Sequence, residues 1–299
     1  MSEKLNSRCG YCAIVGRPNV GKSTLLNRLI GQKLAITSHK PQTTRHSILG
    51  VKTTDEGQII YVDTPGIHKR GDQPMNRYLN RTARSALADV DMILFVVEAL
   101  RWNDEDQAVL DTVSRLDIPV LLLVNKIDTV KNKEELLPYL EATTHRFNFK
   151  TVIPLSARKG DNIEPLEKQV MAALPEGIPY FPEDQLTDRS ERFFAAELVR
   201  EQLTQRYAKE IPYALTVEIE KFEEEGNLYR IHALIWVERE GQKNIIIGAK
   251  GEALKAVGTQ ARKEMEKFFD KKVFLQLWVK VKKSWSSDEG ALSRLGYSD

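Results

Sequence analysis

The sequence predicts a doubly wound α/β domain of mostly parallel strands with one antiparallel edge strand, followed by a smaller α+β domain. Three observations carry this. Gly16-Arg17-Pro18-Asn19-Val20-Gly21-Lys22-Ser23 reads G-x-x-x-x-G-K-S between an apolar run and a helix with spaced leucines. Apolar runs of strand length alternate with helical patterns as far as Leu174. Beyond residues 175–188, punctuated by Pro175, Gly177, Pro179 and Pro182, the order becomes helix–strand–strand–helix–G-x-x-G–helix–strand. The domains expected are therefore 1–174 and 189–299, with 175–188 as a connector.

A chain of 299 residues can build two hydrophobic cores. Its 44 Lys+Arg and 42 Asp+Glu nearly cancel, so any nucleic-acid footprint must lie in the distribution of charge and not in its sum. No stretch approaches the roughly eighteen apolar residues of a membrane span. Met1-Ser2-Glu3-Lys4 lacks the apolar core of a secretory signal, and the expected location is the cytosol. Cys9 and Cys12 are the two cysteines, in C-x-x-C spacing. No further Cys exists to complete a zinc site, and Cys12 falls in an apolar run, so ordinary packing is the reading taken over a redox pair or half a metal site.

In chain order, Tyr11–Val15 reads as a buried strand and Thr24–Ile30 as a helix; Lys33–Arg45 has no period and reads as a loop. Ser47–Thr53 and Gln58–Val62 read as strands joined at Asp55-Glu56-Gly57, a hairpin signal. Helices are expected at Pro74–Leu87, Asp104–Leu116, Glu134–Arg146 and Asp161–Leu174. Fully apolar Asp91–Val97 and Ile118–Val124, with Thr151–Leu155, read as parallel strands.

The chemistry gathers where ligands sit in such sheets, at the carboxyl ends of the strands. The glycines of the first loop let backbone N–H groups face a phosphate at a helix N-terminus. Gly16 through Thr24 are the expected phosphate-binding residues; Lys22 reaches the β- and γ-phosphates and the Ser23 hydroxyl ligates Mg2+. Asp63-Thr64-Pro65-Gly66 closes a strand as D-x-x-G. Asp63 holds the Mg2+ shell through water, and the Gly66 N–H meets the γ-phosphate. Asn125-Lys126-Ile127-Asp128 reads N-K-x-D after a buried strand. The Asp128 carboxylate can accept from the guanine N1–H and 2-amino group, donors that adenine lacks, and the Lys126 stem can lie along the base. Ser156-Ala157-Arg158 is the expected final element, with the Ala157 N–H at the guanine O6. Thr43 and Thr44 lie in the loop expected to close over the γ-phosphate, and Thr44 is the favoured Mg2+ ligand.

Ile67 follows the D-x-x-G segment where Ras-like GTPases carry a water-orienting glutamine. Hydrolysis is then slow or assisted from elsewhere. Lys22, Asn19, Thr44 and Gly66 are the candidate catalytic residues. Asn19 has two open readings: it coordinates a K+ beside the phosphates, or it only shapes the loop. His46 and His68 read as exposed histidines without a catalytic part.

In the second domain, Asp188 and Glu191 resemble a capping box for a helix to about Lys209, with Ala196, Val199, Leu203 and Tyr207 on one face. Tyr213–Lys221 alternates as a strand; Leu228–Val237 and Val273–Val281 are two more. Gly241–Ile247 and Glu252–Phe269 are helices flanking Gly248-Ala249-Lys250-Gly251. This order is that of a KH domain with its extra helix first. The glycines let the chain approach a nucleic-acid backbone. Ile247 to Gly251 and Lys255 are the candidate RNA-binding residues. Between residues 243 and 283 the basic residues are Lys243, Lys250, Lys255, Arg262, Lys263, Lys267, Lys271, Lys272, Lys280, Lys282 and Lys283, against Glu252, Glu264, Glu266 and Asp270. Eleven against four is a local cationic excess in a nearly neutral chain.

The phosphate loop, Asp63-Thr64-Pro65-Gly66, Asn125-Lys126-Ile127-Asp128 and the Gly248–Gly251 loop together resemble the Era family of bacterial GTPases over nearly the whole chain. One departure is Arg158, where the family more often carries lysine. The resemblance implies a GTP/GDP switch whose second domain grips single-stranded rRNA near the 3′ end of the small-subunit RNA. It further implies a checkpoint role in assembly of the 30S particle, and partial association with the inner membrane. No DNA partner is expected. Two other readings stay open: a signalling GTPase whose C-terminal domain binds protein or a membrane surface, and an RNA-binding module with structural nucleotide.

Overall fold

A computed structural model describes residues 7–38, 40, 42–66, 74–207 and 211–297. The chain divides into two compact units, Met1–Gly71 with Leu79–Asp188, and Asp72–Tyr78 with Arg189–Asp299. Ile67 and His68 lie outside the described residues.

The first unit is a six-stranded sheet. Its strands are β1 (Arg8–Val15), β2 (Ile48–Thr54), β3 (Gly57–Asp63), β4 (Met92–Glu98), β5 (Val120–Asn125) and β6 (Thr151–Pro154). The spatial order is β2-β3-β1-β4-β5-β6; β2 runs antiparallel to β3 and the other pairs are parallel. The helices are α1 (Lys22–Ile30), α2 (Pro74–Ser85, of which the residues from Leu79 onward belong to this unit), α3 (Asp104–Val113), α4 (Leu136–Thr144) and α5 (Ile163–Ala173). Central strands covered on both faces must be apolar throughout, and β5 is buried at every position. Ala13, Val15, Ile93, Phe95, Val97, Leu122 and Val124 pack on Val109, Leu110 and Val113 of α3. Asn103 caps α3 by accepting from the Glu105 and Asp106 N–H groups, and Asp106 returns the bond to the Asn103 N–H. Cys9 and Cys12 are buried and unbridged, and burial pushes the Cys12 thiol well above its ordinary value.

Residues 175–188, expected as a connector, make hydrogen bonds to the first unit. The Cys9 N–H donates to Pro175 O (3.0 Å) and the Gly177 N–H to Ser7 O (2.9 Å). Gln58, fully buried in β3, accepts from the Tyr180 and Phe181 N–H groups and donates to Phe181 O. On the edge strand β2, the Val51 N–H donates to Leu186 O (2.8 Å) and the Leu49 N–H to Asp188 Oδ1 (3.3 Å). A buried glutamine and an open strand edge both need partners, and this segment supplies them.

The second unit contains α6 (Glu191–Arg206), β7 (Leu215–Glu225), β8 (Leu228–Val237), α7 (Glu240–Ile247), α8 (Glu252–Phe269), β9 (Lys272–Val281) and α9 (Glu289–Arg294). Its sheet order is β7-β8-β9, with β7 antiparallel and β9 parallel to β8. Leu198, Val199 and Leu203 of α6 meet Ile231, Ala233 and Ile235 of β8 and Val257, Ala261 and Met265 of α8 in one core. Strand β7 runs four residues past the expected end at Lys221, because a register shift between Ile219 and Lys221 puts Phe222 against the core after Ile219. The cap of α6 is Ser190, which accepts from the Phe193 N–H, and not the Asp188–Glu191 pair; Asp188 is engaged at β2. Among the described residues, no helix is long and apolar enough to cross a membrane.

Candidate nucleotide and nucleic-acid sites

Four loops at the carboxyl ends of β1, β3, β5 and β6 converge in the first unit. The loop after β1 must turn sharply without side chains in the way. A Cβ on Gly16 would stand 2.4 Å from Val96 O, and one on Gly21, at φ +105, would stand 2.3 Å from Asn125 Nδ2. Asn19 also takes the left-handed conformation, φ 64. Lys22 Nζ donates to Gly16 O (2.9 Å) and Arg17 O (3.0 Å), which holds the ammonium at its own loop. Burial lowers the Lys22 pKa to about 8, against the pull of Asp63. Thr24 lies in the first turn of α1.

Ser23, Thr44 and Asp63 meet. Ser23 Oγ donates to Asp63 Oδ2 (2.8 Å) and lies 2.8 Å from Thr44 Oγ1. Thr43 does not join them; its hydroxyl donates to Lys40 O (2.6 Å). Burial raises the Asp63 carboxyl to about 6, offset by Lys22 and by the Ser23 bond, and Asp63 Oδ1 is buried without a hydrogen-bond partner. Gly66 lies against Pro18: a Cβ there would stand 2.9 Å from Pro18 N.

The N-K-x-D loop is tied to the loops on either side. Asn125 Nδ2 donates to Val20 O (2.7 Å), and Asn125 Oδ1 accepts from the Ala157 N–H (3.0 Å). Asp128 Oδ1 accepts from Ser156 Oγ (2.7 Å). Lys126, at φ 68, brings Nζ within 3.2 Å of Glu98 Oε2. Arg28 of α1 steadies the last loop by donating to Ala157 O and Arg158 O.

Three of the expected site residues also hold the scaffold together. The Arg17 guanidinium pairs with Asp106 (3.0 Å) and Glu98 (2.9 Å). The Thr64 hydroxyl donates to Ile14 O (2.9 Å) and braces β3 against β1. The Ala157 N–H donates to the buried Asn125 side chain (3.0 Å). Glu98 and Asp106 entered no sequence motif. Their signal would have been a buried arginine in a phosphate loop, which demands carboxylates nearby.

In the second unit, α7 ends at Gly248, φ 72, where a Cβ would stand 2.6 Å from Ala253 Cβ. Lys250 takes φ 49 and Gly251 φ 81. Ala249, Lys250 and Lys255 are exposed, whereas Ile247 packs partly on the core. A loop with left-handed glycines at both ends, carrying an exposed lysine at the head of α8, is suited to a sugar–phosphate chain.

Fold and sites together define a P-loop GTPase domain joined to a KH domain. Residues 11–126 match the family described as 50S ribosome-binding GTPase, and residues 210–286 match the KH domain family. The chain is 60% identical over 293 residues to the GTPase Era of Pseudomonas aeruginosa, covering 98% of this chain and 96% of that one. It is 57% identical to the GTPase Era of Azotobacter vinelandii over the full length of both. Among solved structures it is similar, at TM-score 0.94 and 38% identity, to a variant of Aquifex aeolicus Era bound to GDP and AlF4−, covering 98% of this chain and 100% of that one. An Era in complex with MgGDPNP and nucleotides 1506–1542 of 16S ribosomal RNA superposes with TM-score 0.95 at 38% identity and the same coverage. The chain belongs to the Era family of GTPases. It binds GTP and hydrolyses it to GDP and phosphate.

Proposed function

We propose that this chain is a nucleotide-gated switch on the small ribosomal subunit. With GTP in the first unit, the second unit grips single-stranded rRNA from the 3′ end of the small-subunit RNA, and hydrolysis marks a checkpoint in 30S assembly. The observation that carries this reading is the full-length likeness to an Era that holds MgGDPNP and 16S rRNA nucleotides together. The exposed Lys250 loop and the eleven-against-four cationic excess between residues 243 and 283 support it.

Mg2+ fits the donor set. Ser23 Oγ and Thr44 Oγ1 are hard oxygens 2.8 Å apart, and the buried, partnerless Asp63 Oδ1 is suited to an ordered water of the metal shell. The bound metal would neutralise charge on the β- and γ-phosphates. Asn19 is the residue we assign to a K+ that stimulates hydrolysis; equal turnover in KCl and NaCl at matched ionic strength would remove that assignment. We place the protein in the cytosol, with a fraction held peripherally at the inner membrane by the cations between residues 243 and 283. Cell fractionation at low and high salt tests this: the membrane fraction should wash off with salt.

The deciding experiment measures binding of an oligonucleotide with the 3′-terminal small-subunit rRNA sequence in the presence of GTP analogue, GDP or neither. Tight binding with the analogue, lost in Lys250→Glu, is expected. Equal binding in all three states would reject the gating.

A further inference from the structure

We infer that Glu98 is a positioning residue for guanine-nucleotide retention, clamping the base-side lysine Lys126 to the phosphate loop through Arg17. The inference rests on the guanine-nucleotide reading of the site and deepens it. Glu98 is the last residue of β4 and pairs in register with Asn125, the first residue of the N-K-x-D segment. The Ala99 N–H donates to Asn125 O (2.9 Å), and Tyr139 Oη donates to Glu98 O (3.2 Å), so the Glu98 backbone is fixed on both sides. Its side chain then serves two cations with one oxygen. Oε2 lies 2.9 Å from the Arg17 guanidinium and 3.2 Å from Lys126 Nζ. Arg17 is anchored further by Asp106, whose side chain is fully buried and which also closes the cap of α3.

This geometry joins the two ends of a bound nucleotide. Arg17 is the second residue of the phosphate loop, and its carbonyl accepts from Lys22 Nζ. Lys126 is the residue whose stem is to lie along the base. Its backbone is left-handed, a conformation that a lysine adopts at a cost, so the direction of its side chain depends on what holds the ammonium. Glu98 holds that ammonium. Burial disfavours an ionised Glu98, but Arg17 and Lys126 outweigh burial and hold its carboxyl below the usual range. The four groups balance, two carboxylates against two cations, with Arg17 and Asp106 shut off from water. A neutral side chain at position 98 would remove the charge that holds Lys126 and one of the two carboxylates that pair with Arg17.

The measurement is release of fluorescent GDP and of a fluorescent GTP analogue from the full chain, in wild type, Glu98→Gln, Lys126→Ala and the double variant. Glu98→Gln should speed release about fivefold, and by a similar factor for the two nucleotides, because both carry the guanine that Lys126 lies along. The double variant should release no faster than Lys126→Ala alone, a non-additivity that a general loss of packing would not produce. Glu98→Asp, which keeps the charge but draws it back, should restore part of the retention. If Glu98→Gln folds poorly, Glu98→Asp crossed with Lys126→Ala reads the same coupling. Wild-type release rates in Glu98→Gln, or full additivity with Lys126→Ala, would overturn the inference. A wild-type chain that fails to retain GDP would instead overturn the guanine reading itself, and this inference with it.

Discussion

Replacing Asn125 with alanine tests how the nucleotide site is assembled. The Asn125 side chain is buried and makes two hydrogen bonds to different loops, Nδ2 to Val20 O at 2.7 Å and Oδ1 from the Ala157 N–H at 3.0 Å. Alanine removes both partners and leaves a buried carbonyl and a buried N–H unpaired. Each costs about 1–3 kcal/mol, so the first unit should lose about 2–6 kcal/mol. For a unit of this size roughly 2–4 °C accompanies each kcal/mol, and the nucleotide-free melting midpoint should fall by roughly 4–24 °C. Thermal unfolding followed by intrinsic fluorescence, without nucleotide, reads this directly. Asn125→Asp separates bonding from volume. Its shape is nearly that of asparagine and it still accepts from Ala157, but when ionised it offers Val20 O no donor. A midpoint for Asn125→Asp near that of wild type, or a shift under about 2 °C for Asn125→Ala, would refute the account.

Three further outcomes follow from the same geometry. Thr44→Ala should raise the Mg2+ concentration needed to bind a GTP analogue several-fold and leave GDP binding little changed, while Thr43→Ala should not; Mg2+ titrations with each nucleotide decide it. Gly248→Ala should abolish oligonucleotide binding and destabilise the second unit by about 1–2 kcal/mol, because its φ of +72 is left-handed and its Cβ would press on Ala253. A gel-shift assay and a urea titration read the two effects. Ser190→Ala should cost about 1 kcal/mol through lost capping of α6, and Glu191→Gln well under half of that, measured by urea unfolding.

The motifs were legible because each is a local solution to one chemical demand. A phosphate needs glycines at Gly16 and Gly21, a guanine needs a carboxylate at Asp128, and a nucleic-acid backbone needs the glycines at Gly248 and Gly251. The strands were legible because β4 and β5 are covered on both faces and therefore uninterruptedly apolar. What escaped depends on partners distant in sequence. Nothing beside Arg17 reveals that its guanidinium will find Asp106 and Glu98, more than eighty residues away. Asp188 looked like a helix cap because Glu191 follows it at capping spacing, yet Ser190 sits closer to the first turn and Asp188 was needed by β2. The short α9 has too few residues to show a period, although Asp288 caps it by accepting from the Ala291 N–H. The run of prolines and glycine in 175–188 signalled a break in secondary structure, and a break is not the same as an absence of contacts.

That last segment decides where the chain can be cut. A fragment ending at Leu174 would leave the polar backbone along β2 open to solvent and Gln58 stripped of its backbone partners, which invites neighbouring copies to pair edge to edge. A fragment carried through Asp188 keeps the edge sealed. Preparations of the isolated nucleotide-binding half should therefore stay monodisperse or precipitate according to fourteen residues that contribute nothing to the nucleotide site.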